Sequence, residues 1–298
     1  MSLTEQTSGT ELVETSPSVR NIMLTIAYDG TNYRGWQVQP NGVTVQQRVE
    51  EAIERLTGTQ TRVLCAGRTD TGVHALGQVA SFKTLHQIPT ANIRGGLQTH
   101  LPEDIVIVSA REVASSFHAT FSAIRKRYRY LVFDADVCPP FLRNYVHRCK
   151  VRLNASAMHE AATHLLGTHD FRCFEKKYPN KLTSVRTIMD ASVSRIAVWN
   201  PWQLPPSGFG EQNWPHEDES SPIIAFDVMA DGFLYNMMRA IAGTLVDVGR
   251  GKRRSIFMRE VIQSMERSTA GMTLPPCGLF LVQVDYPENL LHPESGLQ

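Results

Sequence analysis

The sequence predicts an α+β fold made of two similar halves. Two observations lead to this prediction. Helices are segregated from strand-like runs that read as a largely antiparallel sheet, and the elements after about residue 125 repeat the plan of those before it. Two similar halves favour a pseudo-twofold arrangement. A chain of 298 residues, 42% of them hydrophobic, is long enough to bury a large core.

The first half is expected to span residues 21–125, after a disordered acidic tail at residues 1–20 that holds almost no large apolar side chains. Thr44 and Gln47 have the spacing of a capping box, which predicts a helix that ends at Gly58. Alternating or periodic apolar residues predict the remaining elements: strands at 22–28, 62–66, 76–82 and 105–108, and a helix at 91–100.

The second half is expected to span residues 126–286, followed by a tail at 287–298. Residues 199–221 contain three tryptophans and several prolines and glycines, which predicts a long irregular insertion. The predicted elements are strands at 127–133, 192–198, 223–229 and 279–285, and helices at 156–166, 235–248 and 255–266.

One turn carries a carboxylate between two of the predicted strands. Residues 67–75 read GRTDTGVHA, which places Asp70 between Arg68 and Gly72. An aspartate in such a turn usually accepts hydrogen bonds from nearby backbone amides. The same geometry also presents the carboxylate as a potential nucleophile, and the turn alone does not separate the two interpretations.

The GRTDTGVHA run, with Gly77-Gln78-Val79 after it, resembles the active-site motif of the tRNA pseudouridine synthase A family. Further matching runs follow in the family's order over roughly residues 21–286. These runs are Tyr28-Asp29-Gly30, Gly35-Trp36-Gln37, Phe117-His118-Ala119, Phe121-Ser122-Ala123, Arg127-Tyr128-Arg129-Tyr130, Gly167-Thr168-His169-Asp170-Phe171, Phe233-Leu234-Tyr235-Asn236-Met237-Met238-Arg239 and Gly278-Leu279-Phe280-Leu281-Val282.

This resemblance implies the pseudouridine synthase fold, in which the two halves join across a central catalytic cleft and helices pack on the outer faces. It also implies the reaction: isomerisation of uridine to pseudouridine at positions 38, 39 and 40 of the tRNA anticodon stem-loop. The target base has to be extruded from its stack into a pocket. The family acts as a homodimer in which one tRNA touches both subunits, and it uses no cofactor.

The resemblance also implies roles for particular residues. Asp70 is the nucleophile, or the base in a variant route through a glycal-like intermediate, and the sequence leaves both routes open. Arg239 is expected to form a bidentate pair with Asp70, since burial alone would disfavour the charged carboxylate. Tyr128 is expected to pack on the uracil with its hydroxyl available for proton handling. The residues implied in substrate binding are Leu279 on the pocket floor, Arg68 on the RNA backbone, Thr69, Arg125 and Arg127.

The charge distribution favours an RNA-binding body. The formal net charge is +1, but three peripheral segments (1–20, 197–221 and 285–298) hold much of the acidity, and 29 bases against 19 acids remain outside them. Basic clusters lie at 125–129, at Lys176, Lys177 and Lys181, and at 250–254. Any one cluster can be a solvated face, but together they predict a phosphate-binding surface.

Composition also predicts what the protein lacks. Five cysteines form an odd set without a Cys-x-x-Cys pair, and no histidines have metal-ligand spacing, so neither disulfides nor a metal site is expected. No apolar run approaches the roughly 20 residues of a membrane-spanning helix, and the polar N-terminus does not read as a signal peptide. These observations favour a cytoplasmic protein without metal, cofactor or membrane partner.

Two other functions compete with the isomerase. A non-catalytic RNA-binding protein would present aromatic residues on a sheet face, but it gives no reason for the Arg-Thr-Asp turn. A hydrolase that uses Asp70 as an acceptor would require a second acid or a metal site nearby in sequence, and none is evident. Conversion of uridine in tRNA without a change in mass would distinguish the isomerase from both.

Overall fold

The computed structural model describes residues 18–176, 183–196 and 219–293 and confirms the α+β class. The predicted insertion at 199–221 lies almost entirely outside these ranges, as do Lys177, Lys181 and most of the N-terminal tail. The strands of the described ranges are β1 (Arg20–Tyr28), β2 (Leu64–Cys65), β3 (His74–Thr84), β4 (Ile105–Val113), β5 (Arg125–Phe133), β6 (His147–Arg148), β7 (Gly167–Asp170), β8 (Val185–Ile196), β9 (Ile223–Ala230) and β10 (Leu279–Asp285). The α-helices there are α1 (Val45–Thr57), α2 (Thr90–Gln98), α3 (Ala155–Thr163), α4 (Met237–Gly249) and α5 (Phe257–Ser264).

Helix α1 begins and ends as its sequence predicts. The Thr44 hydroxyl accepts a hydrogen bond from the Gln47 amide at 3.3 Å, which satisfies one of the unpaired donors of the first turn. Gly58 ends the helix in the left-handed region, with φ of 70°. Val45, Val49 and Ile53 are buried on one face, so the helix packs its apolar stripe against the sheet core.

All ten strands join one continuous sheet with the main order β4-β1-β3-β10-β5-β9-β8-β7. The first half has the order strand, helix, two strands, helix, strand along the chain, and the second half repeats it apart from the short strands β6 and β7 and the additional helix α5. The order β4-β1-β3 is repeated as β10-β5-β9 in the same direction along the sheet. A twofold axis between the halves would instead place β3 beside β9, so the arrangement differs from the expected pseudo-twofold.

Strand β3 is where the two halves meet. Near its end, Ala80 and Ser81 pair with the short strand β2. At its start, His74 and Ala75 pair in parallel with Phe280 and Leu281 of β10. The turn at 66–73 therefore leaves β2 and re-enters the sheet beside a strand from the other half.

The predicted basic cluster at 125–129 is not an exposed patch. Strand β5 lies between β10 and β9 with both faces covered, so its side chains are buried on either face. Arg129 is 1% exposed and pairs with Asp227 at 3.1 Å, and Arg127 is 5% exposed and pairs with Asp190 at 3.2 Å. The buried arginines of this strand therefore form internal ion pairs and do not contribute to a solvent-exposed basic surface.

Several element boundaries differ from the sequence-based expectation. Helix α3 ends at Thr163 instead of residue 166, since Gly167 adopts a φ of +98° and opens strand β7. Strand β8 begins at Val185, where the expectation was 192, and the end expected at 198 lies beyond the described part. The short strands β6 and β7 were not predicted, because two to four residues are too few for a period to be recognised.

The segment expected as a C-terminal tail is partly ordered against the first half. The Leu290 carbonyl accepts a hydrogen bond from the Ala114 amide at 3.2 Å, and Leu290 and Leu291 pack against the main core. This docking adds contacts between residues 290 and 291 and the end of β4.

Among the described helices, none is long and apolar enough to span a membrane.

Candidate active site

The turn at 66–73 is held by the loop that follows β1. The Trp36 amide donates to the Thr69 carbonyl at 3.0 Å, and the hydroxyls of Tyr28 and Thr69 share a hydrogen bond of 2.7 Å. Trp36 and Thr69 are both buried. Backbone and side chain of Thr69 are thus both anchored, which leaves its neighbour Asp70 in a defined position.

Two glycines of that loop allow its close approach to the turn. Gly35 has a φ of +82°, and a Cβ at this position would lie 2.6 Å from the Thr69 carbonyl oxygen. A Cβ on Gly30 would overlap the Val73 carbonyl oxygen. Any side chain at either position would push the loop away from the turn, so the residue type is dictated by backbone contact.

The Asp70 carboxylate lies beside a guanidinium from the second half. Its side chain is 31% exposed, and its Oδ2 atom lies 3.9 Å from Nη1 of Arg239, whose side chain is 18% exposed. This separation is within the range of an ion pair but longer than a hydrogen bond. The contact is therefore looser than the bidentate pair that the sequence analysis expected.

Other groups occupy much of the Arg239 fork. Its Nε donates to the Leu274 carbonyl at 2.6 Å, and its Nη1 donates to the Asn236 side-chain oxygen at 2.9 Å. Asn236 precedes α4 with a φ of 64°, a conformation that asparagine tolerates better than most residues. Arg239 is consequently fixed in place at the start of α4, with its charge directed toward Asp70.

Tyr128 lies on the central strand β5 and is 8% exposed. Its ring meets that of Phe233 edge-on, with centroids 4.8 Å apart. Burial, together with the nearby Tyr28 phenol and Asp70 carboxylate, raises the pKa of Tyr128 well above its ordinary value. The phenol therefore keeps its proton at neutral pH, so it can donate a hydrogen bond but is a poor base.

Leu279 shares a sheet face with Tyr128. It opens strand β10 opposite Tyr130, two residues along β5 from Tyr128, and it is 6% exposed. Side chains of directly opposed residues, and of residues two apart in a strand, point to the same face. Leu279 and Tyr128 accordingly point to one face of the sheet and belong to the main apolar core.

The remaining residues implied in substrate binding are dispersed. Arg68 is exposed on the turn two residues before Asp70, whereas Thr69 is buried beneath it. Arg125 is partly exposed and pairs with Asp285 at 2.6 Å. Arg127 is 5% exposed at its pairing with Asp190, so it has little surface to offer a phosphate.

The sequence analysis missed the roles of two residues, Lys126 and Gln78, that hold the start of the turn. The Lys126 ammonium donates to the Ala66 carbonyl at 2.7 Å, and the Gln78 amide donates to the Gly67 carbonyl at 2.7 Å. Gln78 was part of the recognised motif, which could have indicated its importance. No local sequence pattern indicates that Lys126, part of the basic cluster at 125–129, binds the Ala66 carbonyl.

His74 ties the other end of the turn to both halves of the sheet. Its Nδ1 accepts a hydrogen bond from the Gly30 amide at 3.0 Å, and its Nε2 lies 2.9 Å from the Asn144 carbonyl oxygen. Because a carbonyl only accepts, Nε2 carries the proton. Nδ1 also lies 3.1 Å from the Asp29 carboxylate, but burial still lowers the pKa of the ring, which favours the neutral form. The ring is 1% exposed and stacks on Phe280 with centroids 4.7 Å apart. His74 lies on the sheet face opposite Tyr128, where it positions the backbone.

Acid should destabilise the protein partly through His74. Burial lowers the pKa of this imidazole, although the Asp29 carboxylate opposes the shift. The unfolded chain then binds a proton more readily than the folded one, so this contribution to stability is full above about pH 6.5 and is lost as the pH falls. We expect the free energy of unfolding of the wild type to fall more between about pH 7.5 and 5.5 than that of His74→Gln, measured by urea titration.

His147 provides the comparison for this experiment. Burial also lowers its pKa, helped by the charge of Arg250, so His147→Gln should remove a separate part of the same pH dependence. The double variant should show the smallest loss of stability on acidification. If wild type and His74→Gln lose stability equally, His74 is not the neutral imidazole described here.

Within the described ranges, no group of three or more His, Cys, Asp or Glu side chains could hold a metal ion. All five cysteines lie in the described ranges as free thiols. Burial raises the pKa of the Cys65 thiol, just before the turn, to about 11. A thiol with so high a pKa is a poor nucleophile at neutral pH.

Comparison with known proteins identifies relatives that match most of the chain. A model of the tRNA pseudouridine synthase family matches residues 24–122 and 161–287, which include Asp70, Arg239 and Leu279. The tRNA pseudouridine synthase A 2 of Clostridium perfringens (strain 13 / Type A) is 44% identical over 268 residues, or 90% of this chain and 100% of that protein. The tRNA pseudouridine synthase A of Thermoanaerobacter sp. (strain X514) is 41% identical over the same shares of the two chains.

Proposed function

Since this chain belongs to the tRNA pseudouridine synthase family, which isomerises uridine to pseudouridine in tRNA, we propose that it modifies uridines 38, 39 and 40 of the anticodon stem-loop. Asp70 is the nucleophile of this reaction. The observation that carries the proposal is the position of Asp70, partly exposed on an anchored turn at the junction of the two halves and 3.9 Å from Arg239.

The reaction rearranges one glycosidic bond. An Asp70 oxygen attacks C1′ of the flipped uridine as the N1–C1′ bond breaks, and uracil leaves as its anion. After the base rotates in the pocket, C5 attacks C1′ and displaces the carboxylate, C5 loses its proton, and N1 gains one. In the variant route, Asp70 instead takes the C2′ proton as the N1–C1′ bond breaks, which gives a glycal-like intermediate and the uracil anion. C5 of the rotated base then bonds to C1′ while Asp70 returns the proton to C2′, after which C5 loses its proton and N1 gains one. Both routes require an ionised carboxylate in a site that excludes bulk water.

Arg239 supports that ionised carboxylate. An opposite charge within about 4–6 Å favours the charged form of a carboxylate. The Leu274 carbonyl and the Asn236 side chain hold the guanidinium in place, so its charge is available without further ordering when substrate binds. The 3.9 Å separation also leaves Asp70 less tightly held than a bidentate pair would, which suits a group that must reach C1′.

Tyr128 and Leu279 form the apolar side of the proposed pocket. The Tyr128 ring packs on the uracil, and Phe233 braces that ring from its edge. Since the phenol keeps its proton, it acts on the base as a hydrogen-bond donor. Leu279 lines the floor of the pocket on the same sheet face.

The RNA backbone is contacted mainly from the exposed side of the turn. Arg68, which is exposed on the turn two residues before Asp70, holds the flipped conformation. Thr69 contributes through the backbone geometry that it anchors. Arg125 can contribute at the edge of the site, while Arg127 acts through the structure of β5 because it is buried.

The proposal includes a homodimer in which one tRNA touches both subunits, and a cytoplasmic location. Five free thiols in the described chain agree with a reducing compartment, where disulfides are rare. Sedimentation of the protein with and without tRNA tests the dimer: two chains per complex support it, and one chain overturns it.

Target choice can be tested with tRNA transcripts that carry a single uridine among positions 38, 39 and 40. Carbodiimide labelling after incubation with the purified protein should detect pseudouridine at that nucleotide in each transcript. A matched transcript with cytidine at all three positions should give no product. Product at other positions only, or none from any transcript, would refute the proposed target.

A further inference from the structure

Phe121 is an aromatic side chain that the proposed mechanism leaves without a role. It is 83% exposed, although burying such a side chain is worth roughly 1.5–3 kcal/mol. A single exposed apolar residue is ordinary on a protein surface. What distinguishes Phe121 is how firmly it is presented and where its segment is attached.

His118 holds both the backbone and the ring of Phe121. The His118 Nδ1 accepts hydrogen bonds from the amides of Thr120 and Phe121, at 3.1 Å and 3.4 Å. The two rings lie at 37° to each other with centroids 4.4 Å apart. The segment is also closed by Ser122, whose amide donates to the His118 carbonyl at 2.9 Å and whose hydroxyl accepts from the His118 amide at 3.1 Å. The Phe121 ring is thus braced from one side and open to solvent on the other.

The segment is fastened to the strand that enters the catalytic turn. The Thr120 hydroxyl donates to the Cys65 carbonyl at 2.6 Å, and Cys65 is the last residue of β2, five residues before Asp70. At the next residue, the Lys126 ammonium donates to the Ala66 carbonyl at 2.7 Å. Arg68 is exposed on the same turn. The Phe121 segment is therefore fastened to the strand that leads into the turn carrying Arg68 and the proposed nucleophile.

We propose that His118 and Phe121 form a stacking platform for an unpaired base of the RNA substrate, next to the nucleotide that enters the pocket. Aromatic side chains recognise unstacked bases in loops by stacking, and adjacent cations hold the backbone. A rigid platform loses little conformational entropy on binding, unlike an exposed ring on a mobile loop. The proposal rests on RNA being the substrate, as in the function proposed above, and it assigns a second contact outside the pocket.

Affinity for an anticodon stem-loop RNA tests the platform independently of catalysis. Phe121→Ala should weaken binding by roughly 5- to 100-fold, and Phe121→Trp should restore it. The dependence of binding on salt concentration should stay unchanged, since no charge is removed. Phe141→Ala is the matched control, because Phe141 is 81% exposed and lies in a separate short 3₁₀ helix, Pro140–Leu142. Its affinity should equal that of the wild type.

An abasic scan of the same RNA identifies the stacked base. Removal of one loop base should weaken binding to the wild type and leave binding to Phe121→Ala unchanged, because the variant has already lost that contact. The platform is refuted if Phe121→Ala binds as tightly as wild type, or if no single abasic position removes the difference. It is equally refuted if the variant changes the sedimentation of the free protein, which would make the ring a contact between two copies of this chain. The affinity comparisons test the stacking platform even if the protein converts no uridine, so failure of the platform and failure of the proposed function can be told apart.

Discussion

Asp70→Asn should lower pseudouridine formation by about 10³-fold or more while leaving RNA affinity within about tenfold. Asparagine keeps the size of the side chain and removes the charge that either route requires at the sugar. The anchors of the turn belong to Thr69 and to its backbone, so they survive the substitution. Single-turnover conversion of a tRNA transcript and equilibrium binding of the same transcript give the two quantities separately.

Asp247→Asn is the matched control for this experiment. Its carboxylate is 30% exposed and pairs with Lys252 at 3.3 Å, so exposure and charge resemble those of Asp70 at a position away from the turn. We expect full activity from this variant. If Asp70→Asn keeps more than about a tenth of the wild-type rate, the carboxylate does not form or break a bond in the reaction.

Asp227→Ala should lower the free energy of unfolding by about 3–5 kcal/mol. Asp227 and Arg129 face each other on β9 and β5, their side chains are both 2% exposed, and the Arg129 Nε lies 3.1 Å from each carboxylate oxygen. Removal of the carboxylate leaves a guanidinium charge buried in the centre of the sheet, where solvation by water cannot replace its partner. Urea unfolding followed by circular dichroism measures the loss.

Two further variants show whether burial causes this loss. Asp285→Ala removes the partner of Arg125, which lies on β5 like Arg129. The Asp285 and Arg125 side chains are 19% and 31% exposed, so the expected loss in the free energy of unfolding is about 1 kcal/mol or less. The double variant Arg129→Met with Asp227→Leu should be more stable than Asp227→Ala, because no uncompensated charge remains. Equal losses for Asp227→Ala and Asp285→Ala would contradict this account.

Much of the fold was predictable because its determinants are local. The Thr44 hydroxyl cap and the left-handed Gly58 define α1 by contacts within a few residues, and alternation of apolar residues located most of the long strands. The family and its reaction were also predictable, because the GRTDTGVHA turn and the other runs occur together in one order. Individual site roles stay predictions until the variants are measured.

Other features depend on partners far away in sequence. The run at 125–129 reads as a basic patch, but β10 and β9 enclose it, and Asp227 and Asp190 turn its arginines into internal ion pairs. Nothing local to the GRTDTGVHA run indicates that the His74 ring contacts the Asn144 carbonyl and stacks on Phe280. No local period encodes which strand will lie beside another.

The sequence by itself determined the presence and local setting of Asp70, together with the helices and strands on either side of it. The tertiary structure decided how Arg239 approaches that carboxylate, since Leu274 and Asn236 bind the guanidinium while its Nη1 lies 3.9 Å from the Asp70 Oδ2. The physical reason is the range of the interactions. Backbone conformation depends on neighbouring residues, whereas burial, ion pairing and the distance between two charges depend on how the whole sheet assembles.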